Sequence, residues 1–127
     1  MNKKEGYNEF RQSLKLRIYN WTVRLVKELR TVSKHVERSD LAIVDQLIRS
    51  STSVGANYVE AIASPTQKDF RKFLSYSLKS GNESKYWLAL MRDVGIMQKE
   101  SIEKLIQEIQ EITLILGKSV STMYKND

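Results

Sequence analysis

The residues with the most direct chemical potential are Arg30 and the lone histidine, His35, five positions apart. An imidazole titrates near neutral pH and a guanidinium grips a phosphate with two hydrogen bonds. Such a pair has the parts to hold a phosphate and move a proton beside it. Yet the chain holds 21 Lys and Arg, so a cation close to its histidine is expected by chance. A histidine near a helix C-terminus also suits the helix dipole without any catalytic duty. A second polar group, Gln46, Arg49, Ser53, Asn57 and Glu60, shares one helical face, and Glu83 is a further acid placed mid-helix. Carboxylate metal sites in bundles use Glu-x-x-His pairs, which are absent here. With Cys 0 and His 1, thiolate catalysis, cysteine-ligated zinc and multi-histidine sites within one chain are excluded. Phosphate loops, nucleophile elbows and dinucleotide fingerprints are absent too. The residues therefore predict no enzyme, no cofactor and no metal, with Arg30 and His35 kept as a catalytic alternative.

Any such residues must be positioned by helices, because apolar positions recur at steps of three and four almost throughout. The first run takes Leu14, Ile18, Trp21, Leu25, Leu29, Val32 and Val36. Ser39 or Asp40 is placed to cap the second run, Val44, Leu47, Ile48, Ser51, Val54, Gly55, Tyr58 and Ile62. The middle of that run, Ser50-Ser51-Thr52-Ser53 and then Gly55, is poor helix material, which packing must offset. Ser64-Pro65-Thr66-Gln67 predicts a third start, with Ser64 as cap and Pro65 at the first helical position. The third run takes Phe70, Phe73, Leu74, Ser77, Gly81, Ser84, Trp87, Leu88 and Met91, and Gly95 is suited to end it in a left-handed turn. The fourth takes Ile102, Leu105, Ile109, Ile112, Leu116, Val120 and Met123. The expectation is a single all-α domain over 1–127, with helices at about 9–37, 40–63, 65–94 and 99–124. Short connections make it an up-down-up-down antiparallel four-helix bundle. Ser51, Gly55, Ser77, Gly81 and Ser84 put small residues on the core stripes of the second and third helices, a packing device for close backbone approach.

The chain of 127 residues, 41% apolar and 28% charged, is long enough to bury one core. Gly 5 and Pro 1 leave too few turn-formers for an all-β fold. No apolar run approaches the ~20 residues of a membrane span, and the start lacks the apolar core of a signal peptide. A cytoplasmic protein with no membrane partner is expected. The net charge of +6 suits a polyanionic partner. It is uneven: residues 11–38 carry eight Lys and Arg against two acids, and 65–97 carry six against three. Arg17, Arg24, Lys27, Arg30, Lys34 and Arg38 fall away from the core on the first helix. Lys68, Lys72 and Lys79 lie on the outer side of the third, with Tyr86 beyond. Basic faces with interleaved aromatics neutralise phosphates and stack bases. The first helix also has a second apolar stripe, Leu16, Tyr19, Val23 and Val26, on its far side, where a packed helix should be polar. Contiguous apolar surface marks an interface, and self-association is the expectation.

Two separated stretches carry a resemblance. Gln46-Leu47-Ile48-Arg49-Ser50-Ser51-Thr52-Ser53-Val54-Gly55-Ala56-Asn57-Tyr58-Val59-Glu60-Ala61 is similar to the second-helix signature of the bacterial four helix bundle protein family, also called the 23S rRNA intervening-sequence protein family. Asp69-Phe70 and Glu83-Ser84-Lys85-Tyr86-Trp87-Leu88 are similar to its third-helix pattern, with Ser84 in place of threonine. The likeness spans about residues 10–120. It implies a four-helix bundle assembling into a ring, typically a pentamer. A related branch, the accessory proteins of diversity-generating retroelements, forms a basic pentameric barrel that binds nucleic acid and a reverse transcriptase. Asn57, Glu60 and Glu83 match the family's polar positions, for which structural or subunit-contact roles are implied. Arg30 and His35 separately resemble the Arg/His pair of helical ribonucleases of the HEPN type.

Together these readings predict a non-enzymatic homo-oligomer that binds RNA or DNA weakly and without strong sequence preference. Arg17, Arg24, Lys27, Arg30, Lys34, Arg38, Lys72 and Lys79 are its candidate nucleic-acid contacts, and Leu16, Tyr19, Val23 and Val26 its candidate interface. The alternative from another class is an assembly scaffold for a protein partner, such as a reverse transcriptase, without nucleic-acid binding. RNA incubated with a His35→Ala protein should stay as intact as with wild type; a cleavage activity lost in that variant would establish the catalytic alternative.

Overall fold

The computed structural model describes residues 2–32, 34 and 36–125. Four helices, α1 (Lys3–Val32), α2 (Leu41–Ile62), α3 (Gln67–Val94) and α4 (Lys99–Lys125), pack antiparallel in chain order. A three-residue 3-10 turn, Arg38–Asp40, leads into α2. The architecture is the up-down-up-down bundle that the apolar spacing predicts.

The core comes from one face of each helix. Leu14, Ile18, Trp21, Leu25 and Leu29 of α1 meet Val44, Leu47, Val54 and Tyr58 of α2. Phe70, Leu74, Leu88 and Met91 of α3 and Ile102, Leu105, Ile109, Ile112 and Leu116 of α4 complete it. Ile48, expected on the core stripe, is exposed; the buried face of α2 runs through Leu47, Ser50, Ser51 and Val54 instead.

The hydroxyls in the serine-rich middle of α2 turn back on their own helix, and packing against α3 offsets the segment's low helix propensity. Ser50 and Ser51 donate to the carbonyls of Leu47 and Ile48, while Thr52 and Ser53 donate to those of Ile48 and Arg49, at 2.7–3.3 Å. The fully buried hydroxyls then join α2 to α3. Ser77 Oγ donates to the Val54 carbonyl at 2.7 Å, and Ser84 and Ser50 share a hydroxyl–hydroxyl bond of 2.9 Å. The glycines serve the other two contacts. A Cβ on Gly55 would come within 3.3 Å of Ile18 on α1, and one on Gly81 within 2.6 Å of Thr113 Cγ2 on α4.

Three boundaries differ from the sequence expectation. The first helix runs over 3–32, not 9–37: Lys34 lies in a turn, Val36 is half-buried outside the helix, and Arg38 starts the 3-10 turn. Neither Ser39 nor Asp40 caps α2 through its side chain; that 3-10 turn feeds the helix directly. The cap of α3 is Thr66, two residues after Ser64. Its hydroxyl accepts from the Asp69 amide at 3.1 Å, while Ser64 Oγ donates back to the Glu60 carbonyl at 2.8 Å. Asp69 in the first turn favours this register, because an acid there meets the positive end of the helix dipole. Gly95 closes α3 as predicted. At φ 76° it donates to the Arg92 carbonyl at 3.2 Å, and the Ile96 amide reaches Met91 at 3.0 Å.

Replacing a helical glycine by alanine normally stabilises by about 0.5–1 kcal/mol. Gly81→Ala should do the opposite, because Thr113 is stiff at χ1 and its hydroxyl is tied to the Ile109 carbonyl at 2.9 Å. Overpacking of this kind costs about 1–3 kcal/mol. Urea unfolding should show a net loss of ~1–2 kcal/mol, recovered when Thr113→Ser removes the clashing methyl.

Candidate nucleic-acid interface

Arg24, Lys27 and Arg30 lie on the exposed face of α1, and Lys34 and Arg38 follow in the connection to α2, all exposed. The proposed arc of six on one helix is therefore four on the helix and two beyond its end. Arg17 is half-buried and is claimed internally, with its guanidinium held by both Glu108 and Glu111 of α4. Lys72 and Lys79 are exposed on the outer side of α3, and Lys72 is 3.6 Å from Asp69. His35 lies outside the described residues.

Packing redistributes the charge. The acids of early α4, Glu100, Glu103, Glu108 and Glu111, lie on the helix that packs beside α1. Dividing each helix at its midpoint separates two halves of the bundle. The half with residues 18–51 and 81–111 carries ten Lys and Arg against ten Asp and Glu. The other half, 3–17, 52–80 and 112–125, carries eleven against four. Among the described residues the excess positive charge thus belongs to one pole, where α1 and α3 begin and α2 and α4 end.

That pole also holds aromatic and cationic side chains in contact. The Arg11 guanidinium lies 4.4 Å from the Tyr7 ring centre and 4.5 Å from that of Phe70. Arg71 lies 5.4 Å from the Tyr124 ring, and Tyr76 meets Phe73 edge-on at 6.0 Å. Lys68, Lys118, Tyr7, Tyr76 and Tyr124 are exposed there. Tyr76 went unremarked in the sequence although it falls between Lys72 and Lys79 at helical spacing. Tyr7, Arg11 and Tyr124 had no sequence signal, since only the fold brings the chain's two ends together. Beneath them Tyr58 is buried, with its hydroxyl 3.5 Å from the Arg11 carbonyl. Burial pushes its phenol up to about 12, against the opposing pull of the Arg11 charge.

The second apolar stripe divides in two. Leu16 and Tyr19 are exposed, whereas Val23 and Val26 are half-buried. Leu16, Tyr19 and Thr22 form one wall of a groove of about 760 Å³ between α1 and α2, faced by Thr52, Ala56 and Val59. Glu60 edges this groove. Asn57 is half-buried and donates to the Ser53 carbonyl at 2.9 Å, while Glu83 is exposed on α3; no hydrogen bond joins the three among the described residues. Nor, among the described residues, do three His, Asp or Glu side chains converge as metal ligands. No described helix is long and apolar enough to cross a membrane.

Fold and surface define a class: an antiparallel α-helical bundle with a basic, aromatic pole and a separate apolar groove. Residues 14–118 match the family described as 23S rRNA-intervening sequence protein, and the chain belongs to that family. It is similar to a crystal structure from Bacteroides thetaiotaomicron, described as a protein of unknown function from the S23 ribosomal protein family. The TM-score is 0.77 at 29% identity, covering 84% of this chain and 97% of that one. No curated protein matches.

The raised Tyr58 pKa makes a stability prediction. Unfolded tyrosine titrates near 10, so stability should be level below that and fall as pH rises from about 10 toward 12. Denaturant midpoints at pH ~9 and ~11 should show this drop in wild type, with a smaller drop in Tyr58→Phe.

Proposed function

We propose that this protein is a non-enzymatic homo-oligomer that binds RNA, or another nucleic acid, through its basic surface. The observation that carries the reading is the segregation of charge, eleven cations against four acids in one half of the bundle and parity in the other. Such a field concentrates phosphates at one end and carries no base-specific information, so binding would be electrostatic and tolerant of sequence. Lys72 and Lys79 on α3 belong to the basic half, whereas Arg24, Lys27, Lys34 and Arg38, though exposed, lie in the half at parity and add less to the field. Arg17 contributes less than its position in sequence suggests, being paired with two acids. The family's description by an rRNA intervening sequence agrees with an RNA setting.

Self-association would use the groove between α1 and α2. Leu16 and Tyr19, 58% and 65% exposed, are large apolar side chains that the bundle leaves mostly uncovered. A ring of copies, most simply a pentamer as the family resemblance implies, would bury this strip and repeat the basic pole around its rim. The same strip favours the second reading, an assembly scaffold that docks a foreign protein there.

RNA affinity measured against salt should fall steeply, and reversing Lys72, Lys79 and Lys118 to Glu should abolish it at low salt. Affinity that is absent at low salt, or unchanged by the three reversals, would overturn the nucleic-acid reading. Leu16→Glu with Tyr19→Glu should reduce an oligomer to monomers in sedimentation velocity. A wild-type protein that sediments as a monomer at micromolar concentration contradicts the assembly.

A further inference from the structure

The basic pole has more than charge. Two grooves, of about 610 and 700 Å³, lie on either side of Arg71. The first has Tyr7, Phe10, Lys118, Ser119 and Thr122 along it, and the second has Lys68, Lys72, Ser75, Tyr76 and Tyr124. Tyr7, Tyr76 and Tyr124 are 52%, 48% and 58% exposed. Each has a neighbour in contact: Arg11 for Tyr7, Arg71 for Tyr124, and Phe73, in a T-shaped pair, for Tyr76. Much of the surface of each ring still meets solvent. Ser75 Oγ, enclosed at the second groove, has no hydrogen-bond partner among the described residues.

Resting on the nucleic-acid reading above, we infer that this pole binds single-stranded RNA, with unpaired bases stacked on Tyr76 and Tyr124 and phosphates met by Lys68, Lys72 and Lys118. A duplex keeps its bases stacked on one another and offers only its backbone, so it has no use for tyrosines set among lysines. A single strand presents both groups in alternation, and stacking accepts any base because each has a π-face. Charge complementarity selects a polyanion over an apolar or basic protein partner, since among the described residues lining the grooves Lys68, Lys72 and Lys118 stand against one acid, Asp69. Gln67, Ser119 and Thr122 add neutral polar groups suited to a ribose 2′-hydroxyl, which favours RNA over DNA.

Fluorescence anisotropy at low salt would compare an oligouridine of about ten nucleotides, the matching oligodeoxythymidine and an RNA duplex of equal length. Oligouridine should bind about tenfold more tightly than the duplex. Tyr76→Ala with Tyr124→Ala should lose that advantage and leave duplex binding unchanged, while the paired Tyr→Phe variant keeps it, because stacking needs the ring and not the hydroxyl. Cross-linking with 5-iodouridine should mark Tyr76 or Tyr124. If none of the three ligands binds, the nucleic-acid reading fails and this inference with it. Equal affinity for strand and duplex, an alanine pair that binds as wild type, or cross-links confined to 18–32 overturns this inference alone. Equal binding of oligodeoxythymidine overturns the choice of RNA. An alanine pair whose sedimentation changes while its RNA affinity does not marks the pole as a contact between copies.

Discussion

The seam between α2 and α3 governs the rest of the bundle. Ser77 donating to the Val54 carbonyl, and Ser84 bonded to Ser50, put hydroxyls where a bundle core is ordinarily aliphatic. Side chains this small draw two backbones together, and their hydrogen bonds satisfy polar atoms that would be costly to bury alone. Because the central pair sits close, the outer helices must fit tightly against it. Gly55 and Gly81 make that possible, one beneath Ile18 and the other beneath Thr113. The outer helices then meet along their own line, where Trp21 Nε1 donates to the Leu105 carbonyl at 3.0 Å and Arg17 takes hold of Glu108 and Glu111. Helix packing thereby decides which charges are spent internally and which remain for a partner.

The fold was legible because helical periodicity is a local property. Four apolar runs at steps of three and four, with Gly95 to end the third, suffice for the bundle and its order. The small residues of α2 and α3 were readable as a packing device, but their division of labour was not. That serines join the central helices while glycines admit the outer ones depends on side-chain direction in three dimensions. Helix ends were less readable. The apolar spacing continues through Val36 after α1 has stopped, and Thr66 competes successfully with Ser64 for the cap because Asp69 lies at the right offset.

The surface was partly legible. Exposure of Leu16 and Tyr19 follows from their angular position on α1, yet their partner across the groove, Val59, comes from another helix and leaves no trace in a one-helix pattern. Cations could be assigned to helices but not to a pole, since Arg17 is adjacent to α4 acids more than ninety positions away in the chain. Tyr7 and Tyr124 come from opposite ends of the sequence, and only the even number of helices returns them to one place. The resulting surface has two chemically distinct regions, an apolar strip and a cationic, aromatic end. The proposed assembly and the proposed nucleic-acid binding therefore need not compete for the same side chains.

The one-sided charge also has an orientational consequence. In an antiparallel bundle the four helix macrodipoles oppose one another in pairs and largely cancel. A net excess of cations at one end of a body about 45 Å long is therefore an electric moment created by side chains, directed along the bundle axis. Approaching a polyanion, the protein feels a torque before it feels a contact. At physiological ionic strength that torque acts only within a Debye length of ~8 Å, so it turns the molecule during the last step of an encounter. Copies joined side by side with their axes parallel would add their moments, and the assembly would meet its partner end first.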